Sequence, residues 1–218
     1  MNKSDNSYLF QPEFIIPRYV NTILCFGDSN TWGFAPDSSD PIPRPWPVIL
    51  QYYLNQYQII SDGQCGRTIN HSSPELGLIS GYDTLEHYKK EGKLLLIMLG
   101  SNDLCCHFNL SSEAITQSLH KLIMYWPPGQ LVIIAPAPMT LLSKRWALYF
   151  KGREEDSMQL AHDYQNLAQK LGCGFFNAGD VATPETDGLH LGTRGHELLA
   201  KALADNLIPE ITPPRSFI

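Results

Sequence analysis

The sequence predicts a three-layer α/β/α domain built on a parallel five-stranded sheet. Three observations carry this expectation. Five short apolar runs alternate with longer stretches of helical spacing. The runs are apolar at consecutive positions, as in strands covered on both faces. The polar motifs fall directly after runs, where open parallel sheets gather their ligand-binding loops.

The first strand is expected at residues 22–26, closed by Gly27. A Pro-rich segment at 36–47 reads as a loop that overhangs a site, and helical spacing follows at 46–56. Residues 58–60 form the second expected strand, and 75–91 have the spacing of a helix. The third strand, 94–99, is the longest clean apolar run, followed by a helix at 112–125 and a fourth strand at 131–135. A variable loop at 139–152 holds Trp146, Tyr149 and Phe150 and is a candidate pocket wall. A helix at 154–171, a fifth strand at 174–176 and a helix at 193–207, capped by Thr193, complete the alternation. Residues 1–20 read as a Pro-interrupted extension, 21–210 as the domain, and 211–218 as a tail marked by Pro213-Pro214.

A chain of 218 residues suffices for one α/β domain with a substantial core. Its formal net charge of -6 argues against a phosphate backbone or an anionic membrane as main partner. The longest apolar run is too short to span a bilayer, and the weak Phe14-Ile15-Ile16 run, cut by Pro17, does not make a signal peptide. Five cysteines, an odd number with Cys105 and Cys106 adjacent, fit a reducing cytoplasm better than a secreted disulfide framework.

Gly27-Asp28-Ser29-Asn30-Thr31-Trp32-Gly33 puts a hydroxyl at the exit of the first strand. A serine at its free pKa is a poor nucleophile and needs a base. His190 is the candidate, with Asp187 three positions earlier, a spacing that lets the carboxylate hold the far imidazole nitrogen while the near one faces Ser29. His196 competes for the role but has no acid at the matching offset. Charge developing on a carbonyl oxygen needs fixed donors, and three are nominated: the Ser29 N–H, the Gly66 N–H and the Asn102 side-chain amide. Asp28 and Asp103 read as braces for the turns that carry Ser29 and Asn102. Trp32, Arg67 and Trp146 are candidates for contact with substrate. Cys105-Cys106-His107 lacks the ligand spacing of a zinc site, so no metal is expected.

These residues resemble the SGNH (GDSL) hydrolases, named for a Ser, Gly, Asn and His in four blocks. Gly27-Asp28-Ser29 resembles the first block, Gly66 the second, Gly100-Ser101-Asn102-Asp103 the third and Asp187-Gly188-Leu189-His190 the last. The blocks span about residues 22–205, and Gly66-Arg67-Thr68 is most similar to the arylesterase-type, single-domain branch. Cys65 departs from that branch, where a small hydroxyl residue or alanine is expected. The resemblance implies a flavodoxin-like sheet and a serine esterase that hydrolyses short-chain acyl or aryl carboxylic esters through an acyl-enzyme, with no metal or organic cofactor. The implied partner is a small-molecule ester, and homo-oligomerisation is left open. A transacylase or carbohydrate deacetylase would use the same residues. A non-catalytic flavodoxin-like module that binds a phosphate-bearing nucleotide or a flavin is the competing class, disfavoured because Asp28 opposes a phosphate where a cradle would need glycines, hydroxyls or a lysine.

Overall fold

The computed structural model describes residues 13–38, 40–88 and 90–210. The expected tail at 211–218 and the first twelve residues of the expected extension lie outside the described residues. The chain begins with β1 (Phe14–Ile16), β2 (Thr22–Gly27), α1 (Ser29–Trp32), α2 (Trp46–Tyr53) and β3 (Gln58–Gly63). Next come β4 (Arg67–Thr68), β5 (Ile79–Ser80), α3 (Tyr82–Glu86), β6 (Lys93–Met98), α4 (Ser112–Ile123) and β7 (Leu131–Ala135). It ends with α5 (Lys144–Phe150), α6 (Glu154–Leu171), β8 (Gly174–Asn177), α7 (Thr193–Asn206) and β9 (Leu207–Pro209).

The five-stranded sheet has the order β3-β2-β6-β7-β8, with every pair parallel. The chain moves from β2 outward to β3, then returns to add β6, β7 and β8 on the other side. Strand order therefore reverses between β2 and β6, where the crevice of such a sheet opens. Gly27 pairs with both Gly63 and Met98, so β3, β2 and β6 end level and their exit loops crowd together.

Consecutive apolar residues on one strand serve opposite faces. Leu24 and Phe26 pack with Ile115 and Leu119 of α4 and with Leu160 and Tyr164 of α6. Ile23 and Cys25 pack with Trp46 and Leu50 of α2 and with Leu199 and Leu203 of α7. Each buried Leu or Ile side chain stabilises by about 2 kcal/mol, which is why neither face tolerates the polar alternation of a one-sided sheet. Among the described residues no helix is long and apolar enough to cross a membrane.

The expected helix at 75–91 is not formed as one element. Pro74–Leu76 makes a single 3-10 turn that stops at Gly77, whose φ of 69° is left-handed, and the helix restarts only as the short α3. Between them lies β5, which pairs in parallel with β4. The loop expected at 139–152 contains a helix, α5. Phe14–Ile16, read as part of an extension, pairs with β9, and Ile16 is fully buried beside α7 residues. The packed fold therefore begins ahead of residue 21.

One buried contact ties α7 to α2. Pro45 offers no side-chain oxygen to cap α2, and the Trp46 N–H donates instead to His196 Nδ1 at 3.2 Å. Burial, reinforced by the charge of His190, lowers the His196 pKa to about 4. Between the ordinary histidine value and about 4 the unfolded chain takes up a proton that the folded one refuses, so acidification through that window costs stability. This penalty is on the order of 3 kcal/mol for one group. Urea unfolding at pH 7 and at pH 4 should show the parent chain losing that much more stability than His196→Asn, whose Oδ1 can still accept the Trp46 N–H. Equal losses in the two proteins would contradict the assignment.

Candidate active site

Ser29 is the first residue of α1, immediately after β2. Asp28 caps this turn by accepting the Asn30 N–H at 2.9 Å, and the turn closes through Trp32 N–H to Asp28 O and Gly33 N–H to Ser29 O. The hydroxyl is thus held by a capped helical turn, on the edge where three strands end level. The 187–190 turn supplies the facing group. Asp187 Oδ1 accepts the N–H groups of Leu189 and His190 at 2.9 and 2.8 Å, so the carboxylate shapes the turn that it belongs to.

The turn after β2 and the 187–190 turn meet at this point. Asp187 Oδ2 lies 2.6 Å from His190 Nδ1, and His190 Nε2 lies 2.9 Å from Ser29 Oγ. With Nδ1–H donating to the carboxylate, Nε2 carries a lone pair and accepts from the Ser29 hydroxyl. Burial works to raise the Asp187 pKa, but hydrogen bonds from the His190 ring and backbone, the His190 charge and the Leu189 N–H together hold it below the usual carboxylate range. The carboxylate therefore stays ionised opposite the imidazole.

Ser29, Gly66, Asn102 and His190 line one cleft of about 230 Å³. Gly66 sits at φ 76°, and a Cβ there would come within 2.1 Å of the Gly77 carbonyl oxygen, so both backbone shape and space require glycine. Asn102 follows β6 and donates one amide hydrogen from Nδ2 to the Arg67 carbonyl at 3.0 Å, leaving the second N–H of the same nitrogen for the cleft. Asp103 accepts the Ile69 N–H through both carboxylate oxygens at 3.1 Å, which fastens the Asn102 loop to the segment after Gly66.

Burial raises the Asp28 pKa to about 6, opposed by the Asn30 N–H and the His190 charge. Burial likewise raises that of Asp103 against hydrogen bonds from His71 and Ile69. Both groups have short-range backbone work and neither lines the cleft.

Two of the residues nominated for substrate contact lie elsewhere. Arg67 is 2% exposed, and its guanidinium turns inward to Gly27 O, Asp62 O, Asp62 Oδ1 and Gln64 Oε1, over the Phe26 ring. It straps together the ends of β2 and β3, because a buried guanidinium needs most of its donors satisfied. Trp32 is 37% exposed and stands outside the cleft lining, carried away by the turn of α1. Trp146 does line the cleft, and its Nε1–H donates to Asp187 Oδ2 at 2.9 Å.

The aromatic wall is larger than the sequence suggested. Phe34 stacks on His190 with ring centres 4.3 Å apart, and Trp146, Tyr149 and Phe150 of α5 complete that side. The 36–47 loop does not line the cleft; its Pro41 pairs with Phe34, whose side chain does. An aromatic residue just past the Ser29 turn was the available signal. Cys65 and Cys105 also face the cleft, and burial together with the Asp28 charge raises the Cys65 pKa, so its thiol stays protonated and is a weak nucleophile.

Comparison with known proteins follows the same lines. Residues 25–198 match the model of the GDSL-like Lipase/Acylhydrolase family. The structure is similar to Est24, a carbohydrate acetylesterase from Sinorhizobium meliloti, at 30% identity and a TM-score of 0.76 over 85% of this chain and 97% of that one. It is also similar to the native M. smegmatis aryl esterase, at 27% identity and a TM-score of 0.76 over 85% and 97% of the two chains. No curated protein matches the chain. With the family model covering most of its length, the chain belongs to the GDSL-like lipase/acylhydrolase family.

Proposed function

We propose that this carboxylic ester hydrolase, whose substrates are small-molecule esters, works through an acyl-enzyme on Ser29. His190 is the general base and acid, Asp187 orients it, and the oxyanion is held by the Ser29 N–H, the Gly66 N–H and the Asn102 Nδ2–H. The observation that carries this reading is the continuous path from Asp187 Oδ2 through His190 to Ser29 Oγ.

In the forward step Ser29 Oγ attacks the ester carbonyl carbon while its proton passes to His190 Nε2. The carbonyl oxygen becomes an anion facing the three donors, and the imidazolium is stabilised by Asp187. Collapse breaks the carbon–oxygen bond to the alcohol, which leaves with the proton from Nε2. A water then gives a proton to Nε2, attacks the acyl carbon and releases the acid, with Ser29 Oγ taking the proton back.

The small cleft volume supports short acyl or aryl esters, because pockets for drug-sized ligands run from about 300 Å³ upward. The 30% identity to a carbohydrate acetylesterase supports a second reading, deacetylation of a sugar by the same residues. Acyl transfer to an alcohol uses the same intermediate, and product analysis with competing alcohols separates it from hydrolysis. The five cysteines, free thiols in the fold, support a reducing cytoplasm as the setting.

With a short aryl ester as substrate, Ser29→Ala should lower turnover by at least about a thousandfold, and an undiminished rate would remove Ser29 from the reaction. Asn102→Ala should cost about a hundredfold to a thousandfold in kcat, whereas an unchanged kcat would take its amide out of the oxyanion site. Trp146→Phe keeps the ring in the wall but deletes the bond to Asp187, and stopped assays should find kcat lower by about tenfold, the worth of one hydrogen bond to a charged group. A wild-type kcat in that variant would mean that the indole N–H contributes nothing to the carboxylate's role.

A further inference from the structure

Asn30 takes no part in the steps above, yet it is buried beside Ser29 and is engaged on three sides. Its Nδ2 donates to the Leu189 carbonyl at 3.2 Å, its Oδ1 accepts the Leu191 N–H at 2.9 Å, and its own N–H goes to Asp28 Oδ1 at 2.9 Å. The amide can sit only one way round, since exchanging its oxygen and nitrogen would set carbonyl against carbonyl and N–H against N–H. The two side-chain bonds also land on a particular pair of groups. The Leu189 carbonyl belongs to the peptide before His190, and the Leu191 N–H to the peptide after it.

We infer that Asn30 is a positioning residue that sets the span between Ser29 and His190, an inference that rests on those two being nucleophile and base. The backbone pieces that carry them are separated by 161 positions and share no strand pairing. The other ties of the 187–190 turn run within it, to the neighbouring Glu185 or to the wall segment: Gly188 N–H to Glu185 O, Glu185 N–H to His190 O, Thr140 N–H to Gly188 O, Ser143 N–H to Asp187 O and Trp146 Nε1–H to Asp187. Among the described residues, the hydrogen bonds that cross from residues 187–191 to α1 are those of the Asn30 amide and the Ser29–His190 bond itself.

The reacting bond cannot maintain its own geometry through the cycle. Once Ser29 Oγ is acylated it has no proton to give, and the Ser29–His190 hydrogen bond is gone. The Asn30 clamp is untouched by that change. It holds both peptides of His190 while the imidazole waits for water, so its loss acts on turnover more than on substrate capture.

The test compares Asn30→Leu, which keeps the volume and deletes both bonds, with Asn30→Ser, which is too short to bridge both peptides. Each is assayed with a short aryl ester and its kcat is expressed per folded molecule, with folding followed by circular dichroism at the assay temperature. A core variant far from the cleft, Leu203→Ala, is the control for general destabilisation and should keep a wild-type kcat per folded molecule. The expected result is a kcat lower by about tenfold to a hundredfold, with KM unchanged or lower. A kcat within about twofold of wild type in either folded variant, with Ser29→Ala inactive, overturns the role of Asn30 while leaving the nucleophile in place. Turnover retained in Ser29→Ala overturns both.

Discussion

The parallel pairing of β2 with β6 in level register is the constraint from which the site is built outward. Gly27 opposite Met98 ends the two strands together at the place where strand order reverses. The loop after one strand delivers Ser29 and the loop after the other delivers Asn102. Neither side chain needs a long reach or a strained backbone. A shift of one residue in that pairing would turn the strand's apolar side chains to the wrong faces and separate the two loops as well. Stability and site geometry are thus set by the same interaction.

Around that edge the fold buries several ionisable groups and provides for each of them locally. Arg67 answers the carbonyls and carboxylate at the ends of β2 and β3. Asp103 takes a backbone N–H, while Asp28 takes the N–H of the capped turn and is pushed up to about 6. Against the same burial, Asp187, unlike Asp28 and Asp103, is held below the ordinary range, because it faces the His190 ring and the N–H groups of His190 and Leu189. The contrast sets the acid proposed to orient His190 apart from those that hold backbone N–H groups.

Much of this was legible in the sequence, for physical reasons that differ by element. Strands buried on both faces leave unbroken apolar runs, so 94–99 and 131–135 stood out, and the four polar blocks sat where strands end. The 75–91 stretch misled because helical spacing persisted across Gly77 and Gly81, while the backbone there is broken by a left-handed glycine and a parallel bridge. The three-residue pairing of β1 with β9 is too short to predict from spacing and depends on Phe14–Ile16 meeting Leu207–Pro209. Arg67 stood next to Gly66, nominated as an oxyanion donor, and was read as facing substrate, whereas its partners are carbonyls and a carboxylate that the fold brings to it. Phe34 and Asn30 were missed for the opposite reason. Their contacts are to a turn about 160 positions away, and no local spacing encodes them.

The central claim is that the hydroxyl of Ser29 is the nucleophile, made reactive by the imidazole of His190. It is tested most directly by incubating the intact protein with a fluorophosphonate and mapping the adduct by peptide mass spectrometry. The account predicts one phosphonylated site, Ser29, with labelling abolished in His190→Ala and esterase activity lost in step with it. An adduct on another residue, or full labelling of Ser29 without the imidazole, would contradict it.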